Sequence, residues 1–140
     1  MGEPCVVALV VDGDTLRCTD GTRVRLIGID APERDQGRSF LSSRAALARL
    51  APARTTVRLE RDAARQDRYG RRLAHVWRGD TLVNEALVAE GWAMLYTLPP
   101  NVKYARRLEA AQQRARQERR GHWADGAFAC APSAHRRREC

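Results

Sequence analysis

Four carboxylates and one arginine crowd the stretch Val10–Glu33, VVDGDTLRCTDGTRVRLIGIDAPE: Asp12, Asp14, Asp30, Glu33 and Arg25. Acids gathered this densely repel one another and desolvate badly unless something positive pairs with them. Three or four of them converging would suit a hard cation, Ca²⁺ or Mg²⁺, which takes oxygen ligands. The plainer alternative is local. Asp12 and Asp14 flanking Gly13 could be turn formers, Asp30–Glu33 a strand exit and helix cap, and Asp67–Arg71 a hairpin turn.

The elements that must position these residues are short apolar runs. Val6–Val11, Thr15–Cys18 and Val24–Ile29 are separated by the turns Asp12-Gly13-Asp14 and Thr19-Asp20-Gly21-Thr22. Asp-Gly between apolar runs is a strong hairpin signal. The three runs therefore predict a meander whose first turn and third-strand exit bring Asp14 and Asp30 to one end of the sheet. Strict alternation puts Arg25 in phase with Ile27 and Ile29, either inside a barrel mouth or beside a bulge. An arginine facing inward needs an anionic partner.

The remaining chain alternates turns with clear periodic segments. Ser39–Leu50 is an expected helix with Phe40, Leu41, Leu47 and Leu50 on or near one stripe, stopped by Pro52. Thr55–Arg61 and Arg72–Arg78 are a fourth and a fifth strand, and Leu82–Glu90 is a short helix with Gly91 at its C-cap. Trp92–Tyr96 is a short extended piece, and Val102–Arg120 is the longest helix. Five strands with about three helices predict an α+β chain built on a β-barrel of the oligonucleotide-binding (OB) type. The expected organisation is one domain over residues 1–128 followed by a basic, mobile tail over 129–140.

The chain has 140 residues, 44% of them apolar, which excludes global disorder. A domain of this size buries roughly 68% of its unfolded surface, enough for a core. No apolar run is long enough to span a membrane. No signal peptide is visible, and Met1–Pro4 leads directly into the first strand, as in a processed or trimmed chain. Net charge is +8, and 24 of the 25 basic residues are arginine. The excess lies mainly in residues 101–140, with 10 basic and 4 acidic side chains. Such an excess favours polyanionic partners, nucleic acid first among them. The alternative is solubility in an arginine-biased proteome.

Cys5, Cys18, Cys130 and Cys140 form an even set without CxxC spacing, which argues against zinc. If oxidised, they pair locally as Cys5–Cys18 across the first hairpin and Cys130–Cys140 around the tail, as suits an exported protein. Free buried thiols in a cytosolic protein are the alternative. His75, His122 and His135 are scattered and are taken as structural or surface groups. Trp77, Trp92 and Trp123 are taken as core.

DGDT at Asp12–Thr15, RLIGIDAPE at Arg25–Glu33 and DRYGR at Asp67–Arg71 resemble, in order and spacing, the signature blocks of the thermonuclease family, whose type member is staphylococcal nuclease. The resemblance runs from about Val6 to Trp123 and includes NEAL at Asn84–Leu87. It implies an OB barrel with three helices and a monomeric, secreted or periplasmic, Ca²⁺-dependent nuclease. The implied substrates are DNA and RNA, and the implied products carry 3′-phosphate ends. It makes Asp14 and Asp30 side-chain calcium ligands, with a backbone carbonyl at Ala31 where the family usually has threonine. Glu33 would position or deprotonate the attacking water. Arg25 and Arg71 would grip the scissile phosphate, Tyr69 would hydrogen-bond a phosphate beside Arg68, and Tyr96 would match a stacking tyrosine. The link after Glu33 is shorter than in the type member, which implies a trimmed mobile loop.

The same residues suffice for the chemistry without the family. Phosphodiester cleavage needs in-line attack and relief of the charge that builds on phosphorus. A carboxylate near a metal-held water supplies the nucleophile, and two guanidiniums offer planar, permanently charged forks. Two other classes compete. One is an OB module that binds nucleic acid without cutting it, against which the complete carboxylate and arginine set argues. The other is a calcium-binding interaction domain, against which the basic last third argues.

Overall fold

The computed structural model describes residues 2–140; Met1, the first residue of the expected trimmed start, lies outside the described residues. The strands are β1 (Glu3–Asp12), β2 (Thr15–Cys18), β3 (Arg23–Leu26), β4 (Ile29–Asp30), β5 (Thr56–Glu60), β6 (Arg72–Arg78), β7 (Thr81–Leu82) and β8 (Met94–Leu95). The helices are α1 (Arg38–Leu50), α2 (Val83–Ala89), α3 (Ala105–Gln117), α4 (His122–Asp125) and α5 (Pro132–Arg136).

Five strands close a barrel. β1 pairs antiparallel with β2 and with β5, β2 with β3, and β5 with β6. The ring is completed by a parallel pairing of β3 with β6, Val24 opposite Arg72 and Leu26 opposite Ala74. Alternate residues fill the interior: Val7, Leu16, Val24, Leu26, Val57, Leu59, Ala74 and Val76 are all buried. Helices cap the barrel with Leu47, Val83, Leu87, Val88, Leu108 and Ala111. The α+β, OB-type architecture matches the expectation, with α1, α2 and α3 as its longer helices.

The expected third strand, Val24–Ile29, is two strands. The chain turns at Ile27 and Gly28, where φ is +82°, a left-handed conformation that costs little for glycine alone. β4 then leaves the barrel to pair with β8, Asp30 opposite Met94. The turn resets the alternation. Val24, Leu26 and Ile29 point into the core, and Arg25 points out of it into a cleft. Period-2 counting across the turn had put Arg25 in phase with Ile29. Buried Asn84 fixes the turn from α2: its amide donates to the Ile27 carbonyl at 2.8 Å and accepts from the Val76 N–H at 2.9 Å.

One further expectation is corrected. Leu41 is 52% exposed; the buried face of α1 is Phe40, Ser43, Ala46 and Leu47. The last residues form α5 inside a Cys130–Cys140 bridge with Cα atoms 5.9 Å apart. The other expected bridge, Cys5–Cys18, joins β1 to β2 with Cα atoms 5.5 Å apart. Among the described residues no helix is long and apolar enough to cross a membrane.

His122 links α4 to α1 and resembles a relay. Its Nε2 lies 2.9 Å from Ser43 Oγ and its Nδ1 2.9 Å from Asp125 Oδ2. Ser43 is fully buried and donates to the Trp92 carbonyl at 2.6 Å, so this group fastens helices and has no access to substrate.

Candidate active site

Arg25, on β3, is anchored by its Nη1, which donates to the Leu26 carbonyl at 2.7 Å. That leaves Nη2 facing two acids, 3.5 Å from Asp14 Oδ2 and 3.4 Å from Asp30 Oδ1. Asp14 follows β1 in the hairpin turn, where its N–H donates to Asp12 Oδ1 at 3.0 Å. Its own carboxylate accepts from the Ala31 N–H at 2.9 Å and from the Thr15 hydroxyl at 3.0 Å. Asp30 is delivered from the other side by β4. Both aspartates are almost fully buried, at 6% and 2% exposure.

Burial and the charge of Asp14 push the Asp12 carboxyl up to about 7. Burial pushes Asp14 up as well, but Arg25, the adjoining Asp12 carboxyl, the Ala31 N–H and the Thr15 hydroxyl outweigh it and hold Asp14 below the ordinary carboxylate value. Burial raises Asp30, with Asp14 adding to the rise and arginine contacts opposing it. Asp14 is thus the acid that the site keeps ionised, and Asp12 takes up its proton load.

Glu33 ends the Asp30-Ala31-Pro32-Glu33 exit. A 3₁₀ turn over Arg34–Gln36 follows it, and the Gln36 side chain accepts from the Glu33 N–H at 2.7 Å. Arg71 approaches from the turn before β6. Its Nε donates to Asp67 Oδ2 at 2.7 Å while its backbone N–H is held by Asp67 Oδ1 at 2.9 Å, and its guanidinium lies 5.4 Å from the Tyr69 ring centroid. Arg68 Nη2 reaches the Tyr69 hydroxyl at 2.8 Å. Tyr96, just past β8, is tied to the Ile27–Gly28 turn by donation of its N–H to the Gly28 carbonyl at 2.8 Å. All nine expected residues, Asp14, Arg25, Asp30, Ala31, Glu33, Arg68, Tyr69, Arg71 and Tyr96, line one open cleft of about 550 Å³.

The expected convergence of three or four acids around a cation is not what the cleft shows. Among the described residues no three His, Cys, Asp or Glu side chains are grouped to hold a metal ion. Asp14 and Asp30 share Arg25, and Asp30 and Glu33 share a second arginine, Arg136. Glu33 stays beside Asp30: one Arg136 nitrogen, Nη1, reaches both carboxylates, at 2.6 and 2.9 Å. Two buried, oxygen-only donors on one guanidinium still fit a hard cation that completes its shell with backbone and water oxygens.

The chain matches the family described as staphylococcal nuclease homologue over residues 23–125. It is 38% identical to a thermonuclease of Staphylococcus intermedius over 129 residues, 87% of this chain and 77% of that protein. It is 36% identical to a thermonuclease of Staphylococcus hyicus over 126 residues, 85% of this chain and 75% of the relative. An uncharacterized endonuclease of Escherichia coli O157:H7 is 35% identical over 123 residues, 85% of this chain and 76% of its own length. The chain belongs to the staphylococcal nuclease family. It is an enzyme of the nuclease type.

Within this staphylococcal nuclease homologue, the cleft also holds residues that sequence reasoning did not assign. Arg136 lies in the expected tail, yet it reaches both Asp30 and Glu33. Its only signal in sequence is the basic run Arg136–Arg138 enclosed between two cysteines. Asn101 lines the cleft and accepts from the Ala64 N–H at 2.8 Å, bracing the loop that carries Arg68 and Tyr69. Nothing in the pattern Pro99-Pro100-Asn101 beyond a chain break pointed to it.

Proposed function

We propose that this nuclease is a calcium-dependent endonuclease that hydrolyses phosphodiester bonds of DNA and RNA by water attack at phosphorus, leaving 3′-phosphate ends. The observation that carries the reading is the pair of buried aspartates facing one Arg25 nitrogen, in the same cleft as Arg71 and Glu33. Asp14 and Asp30 would hold the cation with the Ala31 carbonyl and water. A bound Ca²⁺ supplies positive charge to the phosphate and acidity to water.

The rest is done by side chains of this chain. Glu33 accepts a proton from the attacking water as the new P–O bond forms, and the 5′-oxygen departs on the opposite side. Arg25 and Arg71 place N–H donors on the phosphate oxygens, where negative charge grows, each typically worth ~3–4 kcal/mol of barrier. Tyr69 and Arg68 bind a phosphate at the rim, and Tyr96 offers an aromatic face to a base. The acting unit is a monomeric, thermonuclease-like domain over residues 1–128. The two disulfides of the chain support a secreted or periplasmic setting.

Digestion of plasmid DNA and of RNA with Ca²⁺, followed by end-group analysis, tests this reading. Cleavage should require the cation and leave 3′-phosphates. Equal digestion in excess chelator would overturn it. Salt-sensitive DNA binding without cleavage would instead support a binding module.

A further inference from the structure

The acids of the cleft are claimed by a side chain from the far end of the chain. Arg136 Nη2 donates to Asp30 Oδ2 at 2.6 Å, and its Nη1 donates to Asp30 Oδ1 at 2.9 Å and to Glu33 Oε1 at 2.6 Å. One guanidinium therefore takes both oxygens of an expected cation ligand and one oxygen of the expected base. It also lies over the Tyr96 ring, 5.6 Å from the centroid.

The approach is held from several sides. His135 Nε2 lies 2.8 Å from Asp35 Oδ1, just after Glu33. The Cys130–Cys140 bridge closes the segment on itself, and Phe128 packs edge-on against His122 and Trp123, with centroids 5.1 and 5.0 Å apart. Asp30 has 3% of its side chain exposed, so the Arg136 contact with it is largely shielded from solvent. The segment lies beyond residue 125, where the family match ends.

We propose that residues 130–140 form a built-in plug of the active cleft, with Arg136 occupying the position of the cation. This rests on the calcium-dependent reading above. Asp30 cannot give both oxygens to Arg136 and also ligate a divalent cation, and the two positive charges repel at this range. The plugged and cation-loaded states exclude each other. The free enzyme then binds cation more weakly than its carboxylates allow, by the fraction of molecules that are open. A polyanionic substrate offers Arg136 new phosphate partners, so substrate and cation open the cleft together. The bridged loop keeps the displaced arginine nearby at high effective concentration, so the plug returns when product leaves.

Calorimetric titration with Ca²⁺, together with thermal melting in Ca²⁺ and in chelator, tests the plug on the full chain. The proteins are wild type, Arg136→Gln and the double variant Cys130→Ser/Cys140→Ser. Arg136→Gln should tighten Ca²⁺ binding about tenfold or more. It should also melt lower in chelator, because Asp30 keeps only the more distant Arg25 contact, and gain more from added Ca²⁺. The bridge variant should shift affinity in the same direction while keeping every cleft residue, so it carries the test if Arg136→Gln does not fold in chelator. Unchanged or weaker Ca²⁺ affinity in both variants, with measurable wild-type binding, overturns the plug and leaves the calcium reading intact. No Ca²⁺ binding by any of the three overturns both.

Discussion

Arg25 and Arg71 carry the same charge but are held in different ways. Arg25 spends one nitrogen on the Leu26 carbonyl and aims the other at Asp14 and Asp30, whereas Arg71 is leashed by Asp67 in a half-exposed turn. Lysine keeps the charge at either position but cannot bridge two partners with a planar fork. Arg25→Lys and Arg71→Lys should each lower kcat by about 10²-fold or more, with smaller changes in KM. Glu33→Gln removes the base and a negative charge near the phosphate. It should lower kcat by about 10²–10⁴ while substrate affinity holds or improves. Single-turnover kinetics on one defined oligonucleotide checks all three. Near-normal turnover in Glu33→Gln, with Asp14→Ala inactive, would remove Glu33 from the base role.

At the scale of elements, the junction of β5, β6 and the start of α3 carries a half-buried polar network that acid should break. Glu60 accepts from the Trp77 indole at 2.7 Å and from the Tyr104 hydroxyl at 2.8 Å and pairs with Lys103. Burial raises its pKa, but these donors outweigh it and bring it from 4.5 down to about 2. A depressed carboxylate stabilises the fold above its unfolded pKa and loses that contribution as pH falls from about 4.5 to about 2. Buried His75, 2.9 Å from Asp62, adds to the loss: burial lowers its pKa despite Asp62, so the fold resists protonation that the unfolded chain accepts. Stability should therefore fall on acidification. Glu60→Gln should cost on the order of 1–2 kcal/mol at neutral pH, because solvent around half-exposed Lys103 screens the pair. It should also flatten the acid limb of a plot of Tm against pH; an unchanged limb would clear Glu60.

The outer face of α3 predicts a different kind of effect. Arg106, Arg114 and Arg119 are exposed and far along the chain from the cleft acids, whereas Arg107 is engaged with Glu85 at 2.7 Å. Reversing the first three to glutamate should reduce kcat/KM at low salt by about tenfold and leave kcat nearly unchanged, since encounter and not chemistry is altered. A large fall in kcat in a folded variant would contradict this.

For the whole molecule, closure of the barrel joins residues far apart in sequence, and the Cys5–Cys18 bridge staples its first hairpin. A bridge of this span restricts the unfolded chain by an amount worth about 3 kcal/mol. Cys5→Ser/Cys18→Ser should lose about that much in urea unfolding without altering kcat. A loss of kcat in the folded double variant would mean that the bridge also shapes the cleft.

The sequence by itself determined the five barrel strands, the longer helices, which cysteines pair if oxidised, and nine of the residues that line the cleft. Each of these is written in short-range pattern: alternation of two for strands, spacing of three and four for helices, Asp-Gly at a hairpin, and motif blocks with fixed spacers. Tertiary structure alone decided three things. A left-handed turn at Gly28, fastened by Asn84 from a distant helix, broke the third strand and turned Arg25 out of the core. Asp14 and Asp30, from a hairpin turn and from β4, were brought onto one nitrogen of Arg25. The tail brought Arg136 across 106 residues of chain to Asp30. Periodicity cannot register such contacts, because a charged residue satisfied by solvent and one satisfied by a remote carboxylate look the same in a local window. Only the tertiary placing of β4 against β8 makes Asp30 a buried acid in need of a partner.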